Sequence, residues 1–297
     1  MELCVLGSGS SGNCSALRIG GRIILLDAGF GPRNVAKRLA DSGLGLADID
    51  AILLTHLDTD HFKPTWFNVI QRFGIQLYCH RSHVYHLYQH PATSGAPGGG
   101  IDARQLHRAG LLHVFDAPFI FRGRGGSDGG AGETASVTPV HLAHDRTGTV
   151  GYRIDSATAR LGYATDLGRV PDHLLEAFTD VHLLALESNY DPPMQLASPR
   201  PQMLKRRIMG GSGHLSNEQA FDAVRHIFTR SRQAPRHVVL LHLSRQCNCP
   251  TLVRKLFSQH PHLASRLCLS SQTAPTPWLH AHAAHTPLPG EQLTMFG

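Results

Sequence analysis

No stretch of this 297-residue chain comes near the roughly 18 consecutive apolar residues that a membrane-spanning helix needs, so the sequence offers no such span. The first residues, Met1-Glu2-Leu3-Cys4-Val5-Leu6-Gly7, lack a basic region, an apolar stretch of signal length and a small-residue cleavage site. That argues against export and for a cytoplasmic protein. Cysteine is sparse and unpatterned. Six residues, at positions 4, 14, 79, 247, 249 and 268, form no C-x-x-C pair, which speaks against a zinc ribbon and for reduced thiols. Charge of one sign is only mildly in excess: 28 Lys+Arg against 22 Asp+Glu leave +6, which permits an anionic partner without demanding one. The biases of collagen, coiled coil and wholesale disorder are missing too, and so is a repeat of fixed period. At 41% hydrophobic, a chain of this length can bury a sizeable core.

What the chain has in excess is histidine, 21 residues. Those in the tail, His280, His282 and His285, read as surface residues, and the question is whether others converge on a metal. Strand patterns fall at residues 16–19 and 22–27, a hairpin around Gly20-Gly21, and at 49–55, 136–140, 149–154, 160–164, 181–186 and 237–241. Helical patterns fall at 32–42, with Pro32 in the first turn and Gly43 beyond the end, and at 64–73, 82–88 and 217–230. Strands with interspersed helices make this an α/β or α+β chain. Between 91 and 136 the sequence loosens, with Gly-rich loop composition at 98–100 and 123–132. From 270 onward Pro, Ala, Thr and His dominate without periodicity. The reading is a globular domain over residues 1–269 and a disordered tail over 270–297.

The most informative string is Thr55-His56-Leu57-Asp58-Thr59-Asp60-His61, directly after an apolar strand. Imidazoles and carboxylates this dense at a strand end can turn toward one point, and they are the ligands that divalent zinc, manganese or iron accept. The plainer alternative is a polar loop in which Asp60 caps a helix.

The string resembles the H-x-H-x-D-H signature of the metallo-β-lactamase family, with Asp58 in place of the second His. Asp27, in Leu25-Leu26-Asp27-Ala28-Gly29, matches the acid that supports the family's site from behind. His144, Asp166 and His242 match its later ligands in order. The resemblance spans about residues 1–268. It implies an α+β, four-layer αββα sandwich holding two divalent metal ions, zinc or manganese with iron as a further choice. The first ion would take His56, Asp58 and His144. The second would take Asp60, His61 and His242, with Asp166 between them. A carboxylate at 58 is harder than imidazole and tilts the first position toward manganese or iron. His141 would face elsewhere on an extended strand. Paired ions in such a site, typically about 3.5–4 Å apart, supply hydroxide at neutral pH and clamp both oxygens of an in-line displacement. The chemistry implied is hydrolysis without a protein nucleophile, so Ser8, Ser10 and Ser11 are not nucleophile candidates. The segment 7–13 reads as a tight turn at the rim, since no Lys follows as in a P-loop.

The second half narrows the substrate. Glu187, after a buried strand, and His214, before Leu215-Ser216, resemble the pair that protonates the leaving oxygen in the family's nucleases. The alternative for the second motif is that residues 212–216 merely cap a helix. Lys205, Arg206 and Arg207 suit a phosphate backbone, or form a solvated basic face. Together, Glu187 to Asp191, Gly213 to Asn217 and His242 to Arg245 resemble the bacterial YycJ-type, exonuclease-like subgroup. Cys247 and Cys249 stand where that subgroup has polar residues and are not expected to ligate metal. In the tail, Gln292, Leu293, Met295 and Phe296 resemble the short peptide by which bacterial DNA-processing proteins dock on the polymerase sliding clamp. The expected function is a dinuclear metal-dependent phosphodiester hydrolase, a DNA exonuclease acting on single-stranded ends in DNA repair. The alternatives are a hydrolase of a small ester, thioester or cyclic nucleotide, with 91–132 as a lid, and a non-catalytic accessory protein. The family often forms homodimers, although no interface is readable in the sequence.

Overall fold

A computed structural model of the chain describes residues 1–91, 100–122 and 133–282. Its central strands are largely apolar on both faces, and successive side chains point opposite ways. This period of two lets the central strands feed two cores at once. The first sheet contains β1 (Glu2–Gly7), β2 (Cys14–Ile19), β3 (Arg22–Leu26), β4 (Ile49–Leu53), β5 (Gln76–His80) and β6 (Leu112–Phe115). The second contains β7 (Phe119–Arg122), β8 (Thr134–Leu142), β9 (Thr149–Ser156), β10 (Arg160–Ala164), β11 (Leu183–Glu187), β12 (His237–Leu241) and β13 (Leu267–Leu269). A last short strand, β14 (Leu279–His280), returns to the first sheet and pairs with β1. Sheet orders are β14-β1-β2-β3-β4-β5-β6 and β13-β12-β11-β10-β9-β8-β7.

Leu3, Val5, Ile24, Leu26 and Leu53 of the first sheet meet Tyr152, Tyr163, Ala185, Val239 and Leu241 of the second in a central core. The alternate residues Leu6, Leu25 and Ile52 face outward, under α1 (Pro32–Leu39), α2 (Trp66–Phe73), α3 (Arg81–Gln89) and α4 (Ala103–Arg108). On the far side Leu184, Leu186 and Leu240 lie under α5 (Asp172–Ala177) and, after α6 (Pro192–Ala197) and α7 (Gln202–Met209), under α8 (Asn217–Arg230), α9 (Pro250–Phe257) and α10 (Pro261–Ala264). The result is the expected four-layer αββα sandwich. The helices are amphipathic at the right spacing: α8 buries Ala220, Ala223, Val224 and Ile227. Each fully buried large side chain, such as Trp66, contributes about 1.5–3 kcal/mol of transfer free energy. The Trp66 indole also donates to the Phe30 carbonyl at 2.8 Å, so its one polar atom is satisfied.

Two expectations are corrected. The segment between 91 and 136 is not loop throughout its described part. It contains α4, whose Asp102 and Gln105 form a reciprocal cap, and the strands β6 and β7. Nor does the fold stop at 269. Ser271 accepts from Ser8 N–H, Thr276 N–H donates to Val5, and Leu279 and Ala281 enter the central core. Residues 270–282 thus edge the first sheet through short, aperiodic contacts that carry no pattern in sequence. The sliding-clamp peptide, Gln292, Leu293, Met295 and Phe296, lies outside the described residues, as do 92–99 and 123–132 of the suggested lid. Among the described residues, no helix is long and apolar enough to cross a membrane.

Candidate metal centre

In both sheets the parallel strands β3 and β4, and β10, β11 and β12, deliver polar residues just past their carboxyl ends. This is where open α/β sheets hold their ligands. Asp27 follows β3, the 55–61 string follows β4, Asp166 follows β10, Glu187 ends β11 and His242 follows β12. Asp27, Asp166 and His242 all adopt left-handed backbone, with φ of 63°, 53° and 54°. Such conformations cost non-glycine residues about 1–3 kcal/mol and cluster where geometry matters more than stability.

The convergence is tight. One nitrogen or oxygen from each of His56, Asp58 and His144 lies within 4.8 Å of the others, and the same holds for Asp60, His61 and His242. Asp166 stands between the groups. Its carboxylate is 3.9 Å from His56 Nε2, touches His61 Nε2 and lies 2.5 Å from His242 Nδ1. Sequence reasoning missed the supports behind these residues. Asn13 Nδ2 is 2.8 Å from His61 Nε2 and donates to Asp60 Oδ2 at 3.3 Å. Thr55 donates its backbone N–H to Asp27 Oδ1 at 2.8 Å and its hydroxyl to Oδ2 at 2.9 Å. Asn189 Nδ2 donates to the His242 carbonyl, and His242 N–H to Ser8 Oγ, both at 2.8 Å. Gly29 must be glycine, because a Cβ there would sit 1.7 Å from the Asp60 carbonyl oxygen. Thr55, Gly29 and Asn189 lie inside strings singled out in the sequence and Asn13 ends the 7–13 turn, but the contacts themselves carry no sequence signal.

Electrostatics fit a cation. Burial lowers the His56 imidazole well below its usual range, with the neighbouring His61 adding to the effect. Burial pulls the same way at His61 and His242. There Asp166, helped by Asp27 at His61, wins and raises both well above normal. Asp166 is held well below the carboxylate range against its own burial, chiefly by His242 and His61. His56 Nε2 and His242 Nε2 are buried without a hydrogen-bond partner. Unpartnered imidazole nitrogens beside several carboxylates are the donor set of a divalent ion.

Beside this cluster, His214 Nδ1 lies 2.7 Å from Glu187 Oε1 and 3.1 Å from Asp166 Oδ1. Burial alone would lower His214, but Glu187 and Asp166 push it up to about 9. Glu187 is itself fully buried and accepts from Leu167 N–H at 2.9 Å. The cap of α8 is made by Ser216, which receives Gln219 N–H, so capping and the His214 contact coexist in one motif.

The cavity over the cluster has a volume of about 280 Å³. Arg200 and Arg207 line it; Lys205 and Arg206 do not. Lys205 instead donates to the Leu196 carbonyl at 2.6 Å, and Arg207 pairs with Asp145. Successive residues on α7 point about 100° apart, so three adjacent cations cannot share one face. Cys247 is buried against Tyr190 and Ile208, and neither it nor Cys249 lines the cavity.

Imidazoles and carboxylates gathered at the carboxyl ends of strands in a four-layer sandwich put the molecule in the class of metal-dependent hydrolases with the metallo-β-lactamase fold. That fold implies divalent metal ions. The profile of the family described as Beta-lactamase superfamily domain matches residues 22–243, and the chain belongs to that family. The chain is similar to exodeoxyribonuclease YycJ of Bacillus anthracis, 26% identical over 259 residues, covering 87% of this chain and 88% of that one. It is also similar to exodeoxyribonuclease WalJ of Streptococcus pneumoniae, 26% identical over 84% of this chain and 83% of that one. Among solved structures, the metallo-beta-lactamase fold protein YhfI of Bacillus subtilis shares the fold, with a TM-score of 0.61 at 13% identity over 93% of this chain and 99% of that one.

Proposed function

We propose that the chain is a two-metal DNA exonuclease acting on single-stranded ends in the cytoplasm, in DNA repair. The observation that carries this reading is the His214–Glu187 pair, set 3.1 Å from Asp166 on a cavity wall that also carries Arg200 and Arg207. The names of the two full-length relatives support DNA as the substrate. One ion would be held by His56, Asp58 and His144, and the other by Asp60, His61 and His242, with Asp166 shared. When bound, the ions supply a nucleophile at neutral pH and neutralise phosphate charge. Asp58 favours manganese or iron beside zinc in the first position. Within the chain, Arg200 and Arg207 orient the phosphate, and His214 carries the proton for the leaving oxygen while Glu187 holds its Nδ1. The tail peptide Gln292, Leu293, Met295 and Phe296 would tether the enzyme to the sliding clamp.

The test is 5′-phosphorylated single-stranded DNA incubated with Mn²⁺ and, separately, Zn²⁺, using wild type and Asp60→Ala. Cleavage by wild type alone is expected. No cleavage with both metals confirmed bound overturns the nuclease and points to a small ester; no metal bound points to an accessory protein.

A further inference from the structure

The metal cavity continues past its own wall. Ser244 lines it and also lines a second cavity of about 250 Å³. Arg200 marks the boundary: its guanidinium reaches Ser244 Oγ at 3.5 Å and Gln246 Oε1 at 3.0 Å. Beyond that boundary the walls include Arg245, Ser270, Ser271 and Thr273, with no carboxylate among the lining residues.

Two features of these walls point to a ligand. Arg245 is exposed and makes no hydrogen bond or ion pair among the described residues, unlike Arg207 of the first cavity, which is engaged by Asp145. Ser270 is only 7% exposed, and its hydroxyl has no hydrogen-bond partner. A buried hydroxyl left without a partner is uncommon in folded proteins. The Ser271 and Thr273 hydroxyls, of residues on the same wall, lie 3.0 Å apart. One unengaged guanidinium on a wall of hydroxyl-bearing residues with no acid is the recognition chemistry of a phosphate oxyanion. The placement is also directional. Arg245 comes three residues after His242, so one short segment runs from the metal cluster into the second cavity.

We propose that this cavity binds the backbone phosphate next to the one being cleaved, so the site recognises a polynucleotide rather than an isolated phosphodiester. The proposal rests on reading the centre as a nuclease. It makes Arg245 and Ser270 substrate-binding residues that act on affinity for a chain, not on bond cleavage.

The experiment compares full-length metal-loaded wild type, Arg245→Glu, Arg245→Lys and Ser270→Ala on a single-stranded DNA oligonucleotide and on bis(4-nitrophenyl) phosphate, which has no neighbouring phosphate. Arg245→Glu should raise KM for the oligonucleotide about tenfold and flatten its salt dependence by roughly one counterion, leaving the small diester unchanged. Arg245→Lys should restore most of the affinity, and Ser270→Ala should raise the oligonucleotide KM two- to threefold. An unchanged oligonucleotide KM in Arg245→Glu, or equal loss on both substrates, overturns the subsite and leaves the nuclease standing. Weakened inhibition by inorganic phosphate with an unchanged oligonucleotide KM reassigns the cavity to free phosphate and also overturns it. A wild type that cleaves the small diester but no oligonucleotide overturns both readings together.

Discussion

Asp27 grips His61 from behind. Oδ2 of the carboxylate is 2.8 Å from Nδ1 of the ring, and both side chains are fully buried. The contact fixes the ring's orientation and leaves Nε2 facing the cluster. Supports of this kind are typically worth about 10–100-fold in metal affinity. Asp27→Asn removes the charge and keeps the size. It should lower retained metal from two equivalents to about one after dialysis, measured by elemental analysis. Full retention of both equivalents would show that the carboxylate only fills space.

His214 and Glu187 should separate by degree. His214→Ala should cut DNA turnover at least tenfold without altering metal content. Glu187→Gln, which keeps an acceptor for His214 Nδ1 but loses the charge, should cost less. An unchanged rate in His214→Ala, with metal bound, reassigns that residue to structure.

Thiol chemistry offers a check independent of activity. Backbone N–H groups of Leu252 and Thr251, at the start of α9, lower the Cys249 thiol below its ordinary value of 9.0, so its thiolate persists to lower pH. Burial pushes Cys4 up to about 11 and Cys79 up to about 12, so both stay protonated through neutral pH. Iodoacetamide at pH 8 should therefore label Cys249 well before Cys4 or Cys79, as read by peptide mass spectrometry. Comparable labelling of Cys79 in the folded protein would contradict the burial that protects it.

The parts of the centre that the sequence announces are those where polar residues interrupt an apolar strand pattern. Asp27, the 55–61 string, Asp166 and His242 each follow such a run, and the fold brings them together. Asn13, Asn189 and Ser244 fall within strings the sequence does single out, but Asn and Ser are ordinary turn residues, and only the tertiary fold shows which groups they meet. The cation run misled because sequence adjacency is not facial adjacency on a helix: Arg200, outside α7, lines the cavity while Lys205 turns away. The strands and helices read from periodicity are present, whereas β5, α5, α6, α7 and α9, each five to eight residues long, were too short to show a period. Residues 270–282 were not legible either, since a two-residue strand and isolated backbone contacts leave no periodicity to read.

The cluster draws its side chains from both sheets, from positions as far apart in the chain as Asp27 and His242. Asp166, Glu187, His214 and His242 come from the second half alone, whereas His56, Asp58, Asp60 and His61 come from the first, so the complete cluster exists only where the two halves meet. Any opening between the sheets separates Asp60 and His61 from Asp166 and His242, while the helices on the outer faces can remain. Catalytic output in this molecule is accordingly a reporter of global integrity, able to register a loosening too small for helical content to reveal.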